Sequence, residues 1–192
     1  MRPNPETKKS ILKETYRLFL TENLERVTIC DIESATKRTR GAIFHYFKDK
    51  QTLFENAVER LYFVSLKKTD YSINTPIDFE CFIENYQSPA ERVIEQIKLL
   101  DKNINAEKAF FHFTIQASKY YFNFDTIYNG IMEKEYTRLS SLLFNALNYP
   151  SSVDISTMAY LLINGDCNNL FFNAFSASKP KNKSLLKLLM QK

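Results

Sequence analysis

The chain has 192 residues, of which 44% are hydrophobic and 25% charged, a composition typical of a globular protein and unlike that of a disordered one. Only 3 Gly and 6 Pro are present, too few for the tight turns of a β-sandwich or barrel, so long helices are expected. No apolar run approaches the roughly 20 residues of a membrane span. The first residues lack the apolar stretch of a secretion signal, and we therefore expect a soluble cytoplasmic protein with no membrane partner.

The net charge of +4 lies in the N-terminal third of the chain. Residues 1–70 contain 14 Lys/Arg and 10 Asp/Glu, whereas residues 71–192 contain 12 of each. The densest basic cluster consists of Lys37, Arg38, Arg40, Lys48 and Lys50. A basic patch on a neutral chain is typical of a module that binds phosphates, although five charges also suit an ordinary solvated surface.

Four helices are predicted in the first 68 residues. Apolar residues recur at helical spacing from Lys8 to Glu22, and Thr7 can cap this helix because Asn4-Pro5 disfavours an earlier start. The next three helices each follow a residue that can cap a helix N-terminus, and these residues are Thr28, Thr39 and Asp49. Three short helices with a tight turn between the last two predict a helix-turn-helix, and the fourth helix is expected to continue to about residue 68.

The remainder of the chain is also predicted to be helical. Helices are expected after Pro76, after Ser88-Pro89, and over Glu107–Tyr121, Asp125–Leu147, Asp154–Phe175 and Ser184–Met190. The three cysteines, Cys30, Cys81 and Cys167, are far apart and have no metal-ligand spacing. We therefore predict an all-α fold with no metal and no cofactor.

The predicted helix-turn-helix carries a recognisable motif. It reads Thr28-Ile29-Cys30-Asp31-Ile32, then Ala35, then Thr39-Arg40-Gly41-Ala42-Ile43-Phe44-His45-Tyr46-Phe47, and then Lys50 and Leu53. This pattern closely resembles the DNA-binding signature of the TetR family of bacterial repressors. The resemblance implies a three-helix DNA-binding domain over residues 1–48 and a larger helical domain over 49–192 for effector binding and dimerisation, with helix 49–68 belonging to both.

The motif and the resemblance together predict the DNA-contacting residues. Arg40, in the first turn of the third helix, can donate two hydrogen bonds to a guanine edge or pair with a phosphate. Gly41 lets the helix approach the DNA backbone closely, and Lys50 suits a phosphate, as do the backbone N–H groups at Thr28. The complete set is Thr28, Lys37, Arg38, Thr39, Arg40, Gly41, Ala42, Phe44, His45 and Lys50.

The sequence departs from the family pattern in the turn and in the third helix. The family usually has Ala-Gly-Val where this chain has Thr36-Lys37-Arg38. Glycine suits that turn because it requires a positive φ, which costs a lysine about 1 kcal/mol. Phe44 and Ala42 stand where the family usually has Tyr and Thr, so two hydroxyl contacts are absent and the operator sequence is not readable.

The aromatic residues that follow leave two interpretations open. Many Phe and Tyr occur between residues 79 and 128, and they are explained either by core packing or by an apolar cavity with a few polar groups that orient a ligand. The resemblance implies that some of them line a small-molecule pocket. The candidates are Phe82, Tyr86, Phe110, Phe113, Gln116 and Tyr120.

Two long C-terminal helices predict a homodimer. Proteins with a single reading helix gain affinity by pairing, and the resemblance implies that these helices form a four-helix bundle with those of a second chain. The candidate interface residues are Leu139, Leu142, Leu143, Leu162, Gly165, Asp166 and Asn169.

These expectations define a leading function and two alternatives. The leading hypothesis is a repressor that binds double-stranded operator DNA as a dimer and releases it on binding a small apolar or aromatic effector. The first alternative is a DNA-bound adaptor whose C-terminal domain binds a protein partner. An enzyme is disfavoured because the sequence has no catalytic residues in a Ser/His/Asp, Cys/His or paired-carboxylate arrangement.

Overall fold

The computed structural model describes residues 4–67, 86–147 and 155–175, and the regular structure in these ranges is helical. The helices are α1 (Pro5–Thr21), α2 (Ile29–Thr36), α3 (Arg40–Tyr46), α4 (Lys50–Ala57), α5 (Phe63–Lys67), α6 (Pro89–Leu100), α7 (Ala106–Tyr120), α8 (Phe124–Leu147) and α9 (Ile155–Phe175). The all-α prediction is confirmed. The helices predicted after Pro76 and over Ser184–Met190 lie outside the described residues. Within the described ranges no helix is long and apolar enough to cross a membrane.

The three predicted caps of the N-terminal helices are confirmed. The Thr28 hydroxyl accepts a hydrogen bond from the Asp31 N–H at 3.2 Å, and the Thr39 hydroxyl accepts one from the Ala42 N–H at 3.4 Å. The Asp49 carboxylate accepts the Thr52 N–H at 2.7 Å, and this bond holds the pKa of Asp49 below its usual value. Each cap satisfies a backbone donor that has no partner inside its helix.

The first helix begins earlier than predicted. Asn4, rather than Thr7, is its N-cap, and the Asn4 side chain accepts the Glu6 N–H at 2.9 Å. Pro5 occupies the first helical position, where its missing N–H costs nothing and its fixed φ already suits a helix. Proline restricts the residue before it, and that residue is here the cap, which needs no helical backbone angles.

The fourth predicted helix is continuous but changes its winding. A π-helical turn over Val58–Tyr62 separates α4 from α5, so the helical segment runs from Lys50 to Lys67. Such turns are rare and insert an extra residue into the helical repeat. Here both Val58 and Tyr62 are buried.

The chain divides into two compact units at boundaries that differ from the predicted ones. Unit 1 comprises Met1–Ser65 and Val93–Phe124, and unit 2 comprises Leu66–Arg92 and Asp125–Lys192. The prediction divided the chain into residues 1–48 and 49–192, with helix 49–68 belonging to both domains. The difference arises because α7 packs on the N-terminal helices, a long-range contact that sequence periodicity does not reveal.

The core of unit 1 is built from aromatic side chains. Phe113 of α7 is fully buried and meets Tyr16 edge-to-face with ring centroids 4.9 Å apart, and Phe54 and Tyr62 each lie 5.4 Å from it. Aromatic pairs at such distances and angles add about 0.5–1.5 kcal/mol each to the burial of their area. This network fixes α7 on α1 and α4.

The core of unit 2 lies between α8 and α9. Its buried residues are Leu139, Leu142, Leu143, Ala159, Leu162 and Ile163. A buried charge network adds to it, in which Arg92 donates to Glu135 at 3.3 Å and to the backbone carbonyls of Leu66 and Gln87, each at 2.7 Å. Arg138 donates to the same carboxylate at 2.5 Å. A buried charge is tolerated only with such partners, so this network fixes how α5, α6 and α8 meet.

Asp166 of α9 makes the stability of unit 2 depend on pH. Its side chain is buried, and burial, followed by the charge of Glu91, raises its pKa from 3.8 to about 7. Between about pH 4 and 7 the folded chain therefore holds a proton that the unfolded chain has lost, so this group lowers stability as the pH rises. We expect Asp166→Asn to raise the Tm by a few degrees at pH 8 and to change it little at pH 4.5.

Thermal melting of both proteins at the two pH values measures this effect. Glu22→Gln removes an exposed carboxylate and is the control for the change in net charge. An equal Tm shift at both pH values would mean that Asp166 is ionised in the folded protein at pH 4.5.

Candidate DNA-binding site

The turn between α2 and α3 has the backbone conformation expected from the motif. Lys37 has φ 53° and ψ 38°, in the left-handed region, and its N–H donates to the Glu33 carbonyl. This confirms that the turn requires a positive φ at the position where the family usually has glycine. Lys37 and its neighbour Arg38 are both exposed, so two positively charged side chains of this turn face solvent.

Glu33 holds the beginning of α3, a role that the sequence analysis missed. Its carboxylate accepts the backbone N–H of Arg40, the first residue of α3. An acid at a helix N-terminus also interacts favourably with the helix dipole. An acidic residue seven positions before the start of a helix, across a tight turn, was the signal available in the sequence.

Arg40 and Gly41 form the exposed face at the beginning of α3. The Arg40 guanidinium lies 5.5 Å from the centroid of the Phe44 ring, an arrangement that favours a cation over the aromatic face. Phe44 therefore supports Arg40, a contact that its lack of a hydroxyl does not affect. A Cβ added at Gly41 would meet no atom of the chain within 4 Å, so this side of α3 is open to a partner.

The other predicted residues of α3 lie on or near the same surface. Thr39 and His45 are exposed, and Ala42 is half-buried. Ile43 and Phe47 are fully buried on the opposite side and attach α3 to the core. The helix thus has one face for packing and one face for a partner.

The backbone N–H of Thr28, which was predicted to contact a phosphate, has a hydrogen-bond partner in α2. That N–H donates to the Asp31 carboxylate at 2.8 Å, and the Thr28 hydroxyl donates to the same oxygen at 2.7 Å. The two bonds hold the pKa of Asp31 below its usual value. A phosphate would have to displace a carboxylate to reach this N–H, so the structure gives Thr28 a capping role.

The ammonium of Lys50, which was also predicted to contact a phosphate, has hydrogen-bond partners within the chain. Its ammonium donates to the carbonyls of Leu24 at 2.6 Å and Val27 at 2.7 Å, and lies 3.5 Å from that of Glu25. These carbonyls belong to the α1–α2 loop (residues 22–28). Lys50 therefore satisfies backbone acceptors before α2 and is a positioning residue for the helix-turn-helix.

Gln116, predicted as a pocket residue, holds the same loop from the side of α7. Its amide nitrogen donates to the carbonyls of Phe19 at 3.0 Å and Glu22 at 3.3 Å, and its amide oxygen accepts the Leu24 N–H. The side chain is 4% exposed, so nearly all its hydrogen-bonding capacity is spent inside unit 1. Tyr120 adds a hydrogen bond from its hydroxyl to the Glu25 carboxylate.

The remaining predicted pocket residues are Phe82, Tyr86, Phe110 and Phe113. Phe110 and Phe113 are buried in the core of unit 1, whereas Tyr86 packs against the core of unit 2. Phe82 lies outside the described residues. Of the two interpretations left open for the aromatic residues, core packing describes Phe110 and Phe113.

The leucines predicted to lie at a dimer interface are buried within a single chain. Leu139, Leu142, Leu143 and Leu162 are at most 7% exposed, between α8 and α9. Asp166 is also buried, Gly165 is half-buried, and the Asn169 side chain lies outside the description. The apolar residues of α8 and α9 face each other and bury each other's surface. The sequence pattern alone does not distinguish this arrangement from an interface between two chains.

Comparison with known families identifies the N-terminal helices. The profile described as "Bacterial regulatory proteins, tetR family" matches residues 11–57, which contain α2, the turn, α3 and α4. Residues 11–57 are therefore similar to the N-terminal domain of tetR-family regulators. The resemblance inferred from the motif is thereby confirmed for these helices.

Two curated relatives match a segment of similar length. The chain is 42% identical over 48 residues to the HTH-type transcriptional repressor AcnR of Corynebacterium glutamicum, and to the AcnR of Corynebacterium efficiens over a segment of the same length. The match covers 25% of this chain, and it spans only about a quarter (26%) of the length of each relative.

Solved structures extend the likeness in fold to nearly the whole chain. Escherichia coli NemR in its reduced form superposes with a TM-score of 0.62 and 15% identity, over 90% of this chain and 89% of NemR. A putative transcriptional regulator from Saccharomonospora viridis, in complex with choline, gives 0.61 and 14%, over 97% of this chain and 92% of that one. At these identities the likeness concerns the fold alone.

Proposed function

We propose that this protein is a transcriptional repressor that binds a palindromic operator as a homodimer and releases it when a small molecule binds to unit 2. The observation that carries the proposal is the exposed surface of Lys37, Arg38 and Arg40 beside the open side of Gly41, within a tetR-family domain. Cations beside a helix that can approach a duplex closely are what readout of a major groove requires. The cytoplasm, where such DNA lies, is the proposed compartment.

The proposed DNA contacts are divided between base edges and phosphates. Arg40 and His45 are exposed on α3 and are the candidates for base edges, with Ala42 and Phe44 offering apolar contacts. Lys37, Arg38 and Thr39 flank the beginning of α3 and are the candidates for phosphates, which fix the register of a protein on DNA without reading sequence. Thr28 and Lys50 act on the conformation of the domain rather than on DNA.

The proposed homodimer uses the exposed face of α9. Leu161 and Phe175 are 61% and 56% exposed, and Phe171 between them is 49% exposed. Leu161 and Phe175 are 14 positions apart, about four helical turns, so they lie along one side of α9. The opposite side, with Ala159 and Leu162, is buried in the chain. A helix that is apolar on both sides normally has protein on both sides.

The proposed effector response is supported by cavities in unit 2. One has a volume of about 360 Å³ and another about 500 Å³, sizes in which small ligands bind. The regulator from Saccharomonospora viridis, which shares the fold, was solved with a small molecule. A protein-binding adaptor needs no such cavity. We therefore keep the hypothesis of a small-molecule effector and do not pursue the adaptor hypothesis.

Fluorescence anisotropy tests the DNA-binding half of the proposal. The protein is titrated into labelled DNA from immediately upstream of its own gene and into scrambled DNA of equal length, across a salt series. Binding that prefers the upstream DNA, at two chains per site, supports the proposal. Equal binding to both DNAs that disappears with salt would reduce the function to non-specific phosphate binding.

Arg40→Ala is expected to weaken operator binding by about 1–3 kcal/mol and to relax specificity at one base position. The reason is that Arg40 is the exposed side chain at the beginning of α3 that can bind a guanine bidentately. The measurement is anisotropy with the operator and with single-base variants of it. Lys102→Ala, at an exposed position outside α1–α4, is the charge-matched control. Unchanged affinity of the Arg40 variant would place the reading face elsewhere.

A further inference from the structure

The cavity of about 360 Å³ in unit 2 is lined by three helices. Its walls come from the beginning of α6, the middle of α8 and the middle of α9. The residues that matter most for its chemistry are Tyr128, Met132, Glu133, Tyr136, Tyr160 and Asn164. Among the pocket residues predicted from the sequence, none of those that the structure describes lines this cavity.

The aromatic wall of the cavity is held in place by its own contacts. The rings of Tyr136 and Tyr160 lie with centroids 5.6 Å apart, at an angle of 36°. The Asn164 side chain donates to the Tyr136 hydroxyl at 3.4 Å and to the Tyr160 carbonyl at 2.8 Å. Burial, followed by the charges of Cys167 and Tyr136, raises the pKa of Tyr128 to about 12. Tyr128 is therefore a neutral phenol at neutral pH.

The charges around the cavity favour a positively charged occupant. Its lining, as far as the chain is described, contains the carboxylate of Glu133 and no lysine, arginine or histidine. The N-terminus of α6 would contribute a positive dipole, but Glu91 in the first turn accepts the Ser88 N–H at 2.9 Å and opposes that dipole with its charge. A second cavity of unit 2 has the opposite character, because Lys67, Lys134 and Arg138 outnumber Glu135 in its lining.

We infer that the cavity between α6, α8 and α9 binds a small organic cation, a quaternary or protonated amine, over the rings of Tyr128, Tyr136 and Tyr160 with Glu133 as its counter-charge. A cation within about 6 Å of an aromatic ring centroid is attracted by the electron-rich face, and the attraction grows when water is excluded. Met132 adds a polarisable thioether to the wall. The inference rests on the proposed function, since it names the chemical class of the effector.

Isothermal titration calorimetry with three ligands of similar shape tests the inference. The probes are benzyltrimethylammonium, benzyl alcohol and phenylacetate, which carry positive, zero and negative charge. We expect saturable binding of the cation, and binding at least about tenfold weaker for the other two. Equal or tighter binding of benzyl alcohol or phenylacetate, or no binding of the cation, would overturn the inference.

Substitutions in the wall locate the site. Glu133→Gln and Tyr160→Leu change exposed side chains, and each is expected to raise the Kd of the cation by about fivefold or more. Lys134→Gln, at the next position of α8 but lining the other cavity, is the control and leaves the Kd unchanged. Circular dichroism verifies that each variant is folded. Unchanged Kd values in both wall variants would place the cation elsewhere and overturn the assignment.

Calorimetry without DNA keeps this inference separate from the proposed function. Cation binding at the wall residues in a protein that ignores its upstream DNA would leave the site standing and remove the repressor function. Operator binding by a protein that does not bind the cation would support the repressor function and overturn the cation site. Operator release by benzyltrimethylammonium, abolished by Glu133→Gln, is the result expected when both hold.

Discussion

Leu161→Glu is expected to convert the proposed dimer into monomers and to lower operator affinity by about 100-fold or more. A monomer has one DNA-binding domain and contacts only one half-site of the operator. Linking two such domains raises the affinity by about 10²–10⁴. Leu161 is 61% exposed on the outer side of α9, so the glutamate does not enter the core of its own chain. In the proposed interface it would bury a charge without a partner. Multi-angle light scattering gives the oligomeric state, and anisotropy gives the affinity.

Leu99→Glu is the matched control for this experiment. Leu99 is 71% exposed on α6, away from α9 in sequence and assigned to unit 1. The same substitution there is expected to leave both the dimer and the operator affinity unchanged. Should Leu161→Glu remain a dimer while Leu99→Glu dissociates, the interface lies on α6 and the proposal for α9 is wrong.

Lys50→Met is expected to lower the free energy of unfolding by about 2–3 kcal/mol. The methionine keeps the length of the side chain but removes the ammonium that binds the carbonyls of Leu24, Glu25 and Val27. A hydrogen bond to a charged group contributes about 1.5–3 kcal/mol, and an acceptor left without a partner costs more when it is partly buried. Urea denaturation followed by circular dichroism measures the loss.

Lys48→Met separates the structural role of Lys50 from a DNA contact. Lys48 is exposed two positions earlier, and its replacement is expected to leave stability nearly unchanged. A Lys50 variant of normal stability that weakens binding to every DNA equally would return Lys50 to the phosphate contacts. If Lys50 has a structural role, the Lys50 variant is less stable than the wild type. It then binds DNA normally at temperatures where it is folded.

The N-terminal site was the most predictable part of the protein because its geometry is local. The caps at Thr28, Thr39 and Asp49 each join residues three apart in sequence, and the positive φ at Lys37 belongs to a turn of known form. Interactions over so short a distance depend on few neighbours. Their positions were therefore predictable from the motif, as was the all-α fold.

The roles of Lys50 and Gln116 were not predictable because both depend on partners far away in sequence. Lys50 lies near other basic residues, and nothing local distinguishes an ammonium that binds backbone carbonyls from one that faces solvent. Gln116 meets Phe19 and Leu24 more than ninety positions earlier. A polar side chain on an aromatic helix suits a ligand cavity and a buried hydrogen bond equally well until the helix is docked.

The sequence by itself determined the helical elements, the helix-turn-helix and the exposed cations of its turn, because periodicity, caps and turn chemistry act over a few residues. Only the tertiary structure decided which apolar face met which. It buried Leu139 and Leu162 against each other, left Leu161 outside, and packed Phe113 into the core of unit 1. The hydrophobic effect has no direction and rewards any burial of apolar area. The sequence pattern of an apolar helix face therefore predicts that the face will be buried. The tertiary structure decides which residues bury it.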